Sequence, residues 1–179
     1  PVFYFAFSHF GDVNSRGLSF CVGSVPEQAF DEQGVGGGLV IRFLHRSDSV
    51  QILHGGLLVW AEEYDSSPCR MAFVEVYYGE DGLAVKCNRT SIVTRLLLVN
   101  WAPEVDWVIG IGVGTDSTDD TYIDDVHAKL GAGWRSGTMK IAISNNAQQF
   151  SENVMPFNVY AEPVVSYLLF DRGPVAGGT

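Results

Sequence analysis

The stretch that decides the fold reads MAFVEVYYGEDGLAVKC and covers residues 71–87. Apolar and aromatic residues alternate with small or polar ones on both sides of Gly79-Glu80-Asp81-Gly82. Asp-Gly is a strong turn signal, and alternation of this kind is typical of half-buried strands. The pattern predicts a β-hairpin in which residues 71–78 and 83–87 are joined by a four-residue connection.

The same pattern continues on both sides of the hairpin. Residues 17–23 alternate so that Leu18, Phe20 and Val22 would share one buried face. Short strands without a helical period predict an all-β, antiparallel fold, either a two-sheet sandwich or a barrel. We expect at most one helical turn, over residues 26–30. Further strands are predicted at residues 3–7, 38–44, 50–53, 56–62, 95–99, 107–114, 122–130, 138–144, 154–160 and 164–170.

Composition excludes several classes of function. The chain has 179 residues with 11 Lys+Arg and 21 Asp+Glu, a formal charge of −10. This charge argues against binding to nucleic acid or to anionic lipid. No apolar run reaches the ~18 residues that a bilayer span needs. The chain begins without Met and ends in Gly177-Gly178-Thr179, so we expect an excerpt from a longer polypeptide.

Three cysteines, Cys21, Cys69 and Cys87, allow at most one intramolecular disulfide. None of them has CxxC spacing, which argues against a zinc ribbon or a thioredoxin-like site. Two interpretations stay open. Either all three are small buried hydrophobic residues, or one disulfide forms and the third thiol is buried or paired elsewhere.

Several segments together resemble the concanavalin A-like lectin/glucanase superfamily, over residues 1–133. They are residues 17–20 (GLSF), 31–43 (DEQGVGGGLVIRF), 107–115 (WVIGIGVGT) and 122–126 (YIDDV). The resemblance implies a jelly-roll sandwich of two antiparallel sheets. The lectin-like members belong to large secreted or surface proteins.

The C-terminal part resembles the IPT/TIG immunoglobulin-like module. Residues 141–151 (IAISNNAQQFS) and 156–163 (PFNVYAEP) look like the end of one module, and residues 163–179 like the start of the next. The implied domains are a sandwich at 1–133, the end of a module at 138–162 and a second module from 163. These partial immunoglobulin-like strands are too few for a core of their own. We therefore expect them to pair elsewhere in the parent protein or with a neighbouring copy.

No catalytic constellation is evident. Glucanases of this superfamily carry an E-x-D-x-x-E strand that places carboxylates on one face, and this chain lacks one. The adjacent Glu62 and Glu63 would face opposite ways on a strand, and Glu75 is isolated. The four histidines are scattered, and we expect them at the surface or at strand ends. The chain is therefore predicted not to be an enzyme, with a degenerate glycoside hydrolase as an alternative.

The glycine clusters at 34–38 and 110–114 are not followed by a Walker lysine or a helix. We expect them to serve close backbone packing and strand bulges. Sugar binding needs an aromatic platform with polar groups beside it. The candidate glycan-binding residues are Trp101, Tyr64 and Trp60.

The acidic loop after residue 114 is the candidate metal site. Its carboxylates suit Ca²⁺, although the spacing is not that of an EF-hand. A solvated loop whose aspartates accept backbone N–H bonds is the alternative. The candidate ligands are Asp116, Asp119, Asp120 and Asp124. Asn88-Arg89-Thr90 is a sequon, so Asn88 is the candidate glycosylation site.

The predicted function is that of a non-catalytic adhesion or structural module in an extracellular or cell-surface protein. Its expected partners are neighbouring domains or copies of the parent protein. The alternative is a lectin domain, with carbohydrate as partner and Ca²⁺ as an optional cofactor. No nucleic-acid binding and no membrane insertion are expected.

Overall fold

The computed structural model describes part of the chain. The described residues are 3–10, 15–24, 30–64, 71–99, 108–115, 122–130, 137–145, 149–150 and 155–159. The candidate residues Trp101, Asp116, Asp119 and Asp120 lie outside these ranges, as do residues 26–29 of the helical turn expected over 26–30 and the module from residue 163.

Thirteen strands make up the regular structure of the described residues, which contain no helix. The all-β expectation is therefore confirmed for this part. In chain order the strands are β1 (Phe3–Phe10), β2 (Ser15–Gly23), β3 (Leu39–Leu44), β4 (Ser49–His54), β5 (Leu57–Glu63), β6 (Met71–Gly79), β7 (Gly82–Cys87), β8 (Thr90–Leu96), β9 (Val108–Thr115), β10 (Tyr122–Leu130), β11 (Gly137–Asn145), β12 (Gln149–Phe150) and β13 (Met155–Val159).

The strands form two sheets. Sheet A has the order β10-β1-β6-β7-β8, and sheet B has the order β12-β11-β9-β2-β3-β4-β5, with β13 also paired to β11. The neighbours are antiparallel except β9 and β11, which run parallel. Strand β11, from the stretch that resembles an immunoglobulin-like module, thus pairs with a strand of sheet B. The predicted domain boundaries stay a prediction.

The hairpin over residues 71–87 is β6–β7, and its connection is shorter than predicted. Gly79 pairs directly with Gly82, so that only Glu80 and Asp81 form the turn. Gly82 has φ 100°, a conformation that L-residues avoid. The strand expected at 95–99 begins earlier, at β8, because the sequon residues Asn88 and Arg89 form a tight turn.

The core lies between the two sheets. Phe5 and Phe7 of sheet A meet Phe20 of sheet B, with ring centroids 4.9 Å and 6.1 Å apart. All three rings are fully buried, and they belong to a cluster that takes residues from β1, β6 and β7 on one side and β2, β3, β4 and β9 on the other. This packing gives the chain its β-sandwich character. The predicted inward face of Leu18, Phe20 and Val22 is confirmed.

A second, smaller cluster covers the outer face of sheet B. Residues 30–37, which we call the strap, cross this face, and Phe30 packs with Cys21, Val40 and Leu53. A Cβ atom added at Gly112 would overlap the Asp31 carbonyl and the Phe30 ring. The glycines of β9 therefore let the strap approach the strand, which confirms the expected role in close packing.

Polar contacts fix the strap at its acidic end. Arg16 forms ion pairs with Asp31 at 3.7 Å and with Glu32 at 3.4 Å. The Ser19 hydroxyl donates to the Asp31 carbonyl at 2.7 Å, and the Arg42 guanidinium donates to the Gln33 carbonyl. Burial lowers the pKa of Arg42 from its ordinary value.

The cysteines follow the second of the two interpretations. Cys87 is disulfide-bonded, whereas Cys21 is a free, buried thiol. Burial raises the pKa of Cys21 to about 11, so the thiol stays protonated at neutral pH. Cys69 lies outside the described residues.

Candidate functional site

A cleft lies where the β3–β4 turn meets the end of β5. It has a volume of about 460 Å³ and is lined by Ser47, Asp48, Glu63 and Tyr64. The Tyr64 N–H donates to the Asp48 carbonyl at 2.6 Å, which ties the residue after β5 to the turn. Asp48 has φ 43°, a left-handed conformation that aspartate tolerates.

The chemistry of this cleft suits a polar ligand with some apolar surface. Its volume falls within the range of small-molecule sites. Two carboxylates and the Ser47 hydroxyl can bond to ligand hydroxyls, and the half-buried Tyr64 ring supplies an apolar wall. Sequence reasoning selected Tyr64 but missed Asp48 and Glu63, because strand register alone brings these two carboxylates together.

The other predicted glycan-binding and metal residues are not gathered around this cleft. Trp60 is half-buried and packs against the main core. Asp124 lies on β10, where its backbone pairs with Ser8. In the described residues, no group of three or more His, Cys, Asp or Glu side chains can hold a metal ion. The Ca²⁺ site therefore stays a prediction.

A smaller cavity of about 140 Å³ lies on the outer face of sheet A. Tyr4 and Tyr77 are cross-strand neighbours there, and the Tyr4 hydroxyl donates to Glu75 at 3.1 Å. Burial, followed by the hydrogen bond and the charge of Glu75, raises the pKa of Tyr4. Lys86 and Ala84 complete the lining.

Two of the four histidines are buried, and both lie at strand ends, one of the two expected places: His9 is near the end of β1 and His45 directly follows β3. His9 is 0% and His45 2% exposed, with ring centroids 6.0 Å apart. The alternation of β1 turns His9 toward the core, and the turn after β3 carries His45 to the same end. Of the other two, His127 is exposed and His54 half-buried.

Exposed apolar side chains concentrate at two strand edges. On β5, Leu57, Leu58 and Val59 are 73%, 57% and 44% exposed. Directly after β8, Leu97 and Val99 are 71% and 76% exposed. Sequence reasoning missed both strips, although residues 50–61 contain no Asp, Glu, Lys or Arg, which was the available signal.

The candidate glycosylation residue Asn88 is exposed, but its side chain is engaged with β6. Its Oδ1 accepts from the Phe73 N–H at 2.9 Å, and its Nδ2 donates to the Met71 carbonyl at 3.1 Å. Asn88 also donates its backbone N–H to the Phe73 carbonyl. The amide thus links the β7–β8 turn to the neighbouring strand.

Comparison with known proteins does not show a family for this chain. No protein-family model matches the chain, and no solved structure matches it. A curated relative, described as putative serine carboxypeptidase-like 23 of Arabidopsis thaliana, is 31% identical over 108 residues. The match covers 58% of this chain but only 18% of that protein's length. Among the described residues, no helix is long and apolar enough to cross a membrane.

Proposed function

We propose that this chain is a non-catalytic adhesion or structural module of an extracellular protein. The observation that carries the proposal is the pair of apolar strips on β5 and beyond β8, since soluble proteins rarely expose large side chains in this way without a partner. We also propose, from the resemblance of the sequence, that the sandwich has jelly-roll topology and that the C-terminal strands belong to immunoglobulin-like modules. The partners would be neighbouring domains or copies of the parent protein.

The disulfide at Cys87 supports an extracellular location. Disulfides persist in oxidising compartments and are rare in the cytosol. The acidic surface is compatible with this setting, because the −10 charge keeps the chain soluble.

The curated relative's name raises the question of hydrolysis. A serine hydrolase needs a histidine that reaches both its nucleophile and the substrate. His9 and His45 are closed off from solvent, so only the half-buried His54 and the exposed His127 could serve such a role. The match spans only 18% of that protein's length, and we do not propose hydrolysis for this chain.

Sedimentation velocity tests the proposal on the chain alone and on the chain with its flanking parent repeats. Replacing Leu57 and Leu58 by Ser should abolish the contact that forms. Met71→Ser is the matched control, since Met71 is 65% exposed but lies on the outer face of sheet A rather than on either strip. A chain that contacts neither its own copies nor the flanking repeats contradicts the proposal.

Glycan binding is the second candidate, and the cleft around Tyr64 favours it. An array of glycans, probed with and without EDTA, measures both affinity and any Ca²⁺ requirement. Tyr64→Ala should remove binding while Trp60→Phe, which keeps an aromatic ring against the core, should not. Binding that survives Tyr64→Ala would exclude this cleft.

A further inference from the structure

Strand β5 is an edge strand of sheet B, and its residues change from apolar to acidic along its length. Within the described residues it pairs only with β4, so its outer backbone groups have no strand beside them. Every residue except Trp60 is exposed. The strand begins with the apolar residues 57–59 and ends with Glu62 and Glu63.

Strand β8 is an edge strand of sheet A, and here the charged residue comes before the exposed apolar residues in the sequence. It pairs with β7 alone in the part of the chain that the structure describes. The exposed Arg95 lies near its end, and the exposed Leu97 and Val99 follow. Arg95 pairs with Asp81 at 2.8 Å, but both side chains are more than 70% exposed, and such a pair exchanges at little cost.

We propose that β5 of one copy adds antiparallel to β8 of a second copy, joining sheet B of the first to sheet A of the second. Antiparallel alignment brings the apolar start of β5 against Leu97 and Val99, and it places the acidic end of β5 beside Arg95, with one of the two glutamates on the same face as Arg95. Parallel alignment would set the apolar residues of β5 against Arg95. The charges and the apolar strips therefore select one direction.

The same reasoning excludes pairing between identical strands. Two antiparallel β5 strands would bring Leu57 of one copy toward Glu63 of the other. Two antiparallel β8 strands would offer Arg95 no carboxylate, since residues 90–99 contain no Asp or Glu. Only the mixed pair matches apolar with apolar and acidic with basic. A contact between two different surfaces is heterologous, so it can propagate from copy to copy, as a structural assembly requires.

This inference rests on the proposed function, and charge reversal tests it on the full chain. Sedimentation equilibrium would compare the wild type with Glu62→Arg/Glu63→Arg and with Arg95→Glu. Each variant places like charges opposite each other, and we expect the dissociation constant to rise by about tenfold or more. An equimolar mixture of the two variants restores opposite charges at every contact and should recover wild-type association. Far-ultraviolet spectra and urea midpoints confirm that each variant is folded.

Lys86→Glu provides the matched control, because it also reverses a basic charge but on the outer face of sheet A. It should leave the dissociation constant within about twofold of wild type, the range expected for a charge outside the contact. Copies that associate equally well in all variants, or a mixture no better than either variant alone, would refute the pairing and leave the proposed function standing. A chain that contacts neither copies nor flanking repeats refutes both.

Discussion

Replacing Asn88 by Asp should destabilise the sandwich without changing its fold. The substitution keeps the shape of the side chain and its tolerance of the left-handed region, where Asn88 has φ 48°. It removes the hydrogen bond from Nδ2 to the Met71 carbonyl and places a carboxylate oxygen there instead. The bond from the Phe73 N–H to the side-chain oxygen can persist.

The expected loss follows from these contacts. A hydrogen bond of this kind contributes about 0.5–1.5 kcal/mol net, and two oxygens facing each other add a further penalty. Because Asn88 is exposed, water relieves part of it. We expect the free energy of unfolding to fall by about 1–2 kcal/mol, which corresponds to a decrease in Tm of roughly 2–8 °C for a chain of this size. Urea titration followed by tryptophan fluorescence measures it.

Thr90→Val separates this structural role from glycosylation. Valine matches threonine in shape and in preference for strands, but it removes the hydroxyl that the sequon requires. Protein produced in a glycosylating host should therefore keep wild-type stability in Thr90→Val and lose it in Asn88→Asp. Equal losses in both variants would refute the reasoning, because they would assign the stabilisation to a glycan rather than to the amide.

Three further outcomes are expected from the strap and the cysteines. Gly112→Val should lower the free energy of unfolding, measured by urea titration, by about 1–3 kcal/mol, because the valine side chain would overlap Phe30. Gly37→Ala should lower it by less than about 0.5 kcal/mol. Equal losses in the two variants would exclude contact with the strap as the cause. The free energy of unfolding should fall as pH rises from 9 toward 11, because the Cys21 thiol loses its proton at lower pH in the unfolded chain than in the folded one. Urea titrations at several pH values should show a smaller fall for Cys21→Ala. Reduction of the disulfide at Cys87 should lower the free energy of unfolding by about 2–4 kcal/mol. Mass spectrometry of unreduced peptides should find Cys87 joined to the chain's remaining cysteine. An unchanged urea midpoint in the presence of reductant would contradict the predicted loss of stability.

The strands were predictable where alternation was strong and local. Leu18, Phe20 and Val22 face the core as their spacing requires, and the hairpin over residues 71–87 forms where its turn signal lies. The turn itself was misjudged, because glycines at both ends of Gly79-Glu80-Asp81-Gly82 do not say which of the four residues pair. The early start of β8 likewise depends on a turn with Asn and Arg in left-handed conformations, a choice that local propensity does not favour for Arg.

The candidate site was less predictable, because it depends on which strands become neighbours. Asp48 and Glu63 lie 15 positions apart in the sequence and meet because β4 pairs with β5. His9 and His45 are brought together by the packing of two different sheets. The alternation of β1 accounts for the burial of His9, but not for its proximity to His45. Tyr64 was selected only because an aromatic ring can stack on sugars. The pairing of β4 with β5 then places Asp48 and Glu63 beside it.

The strap explains why recognition should take place at edges and ends rather than on the outer face of sheet B. Phe30 and the backbone of Asp31 occupy the space above Gly112, and Arg16 holds the acidic end of the same segment. A partner that bound above Gly112 would have to displace a packed aromatic ring together with two ion pairs. Adding a strand beside β5 displaces nothing that the structure describes and covers side chains that are already exposed. The lower cost of the second process is the physical reason for assigning assembly to the edge strands.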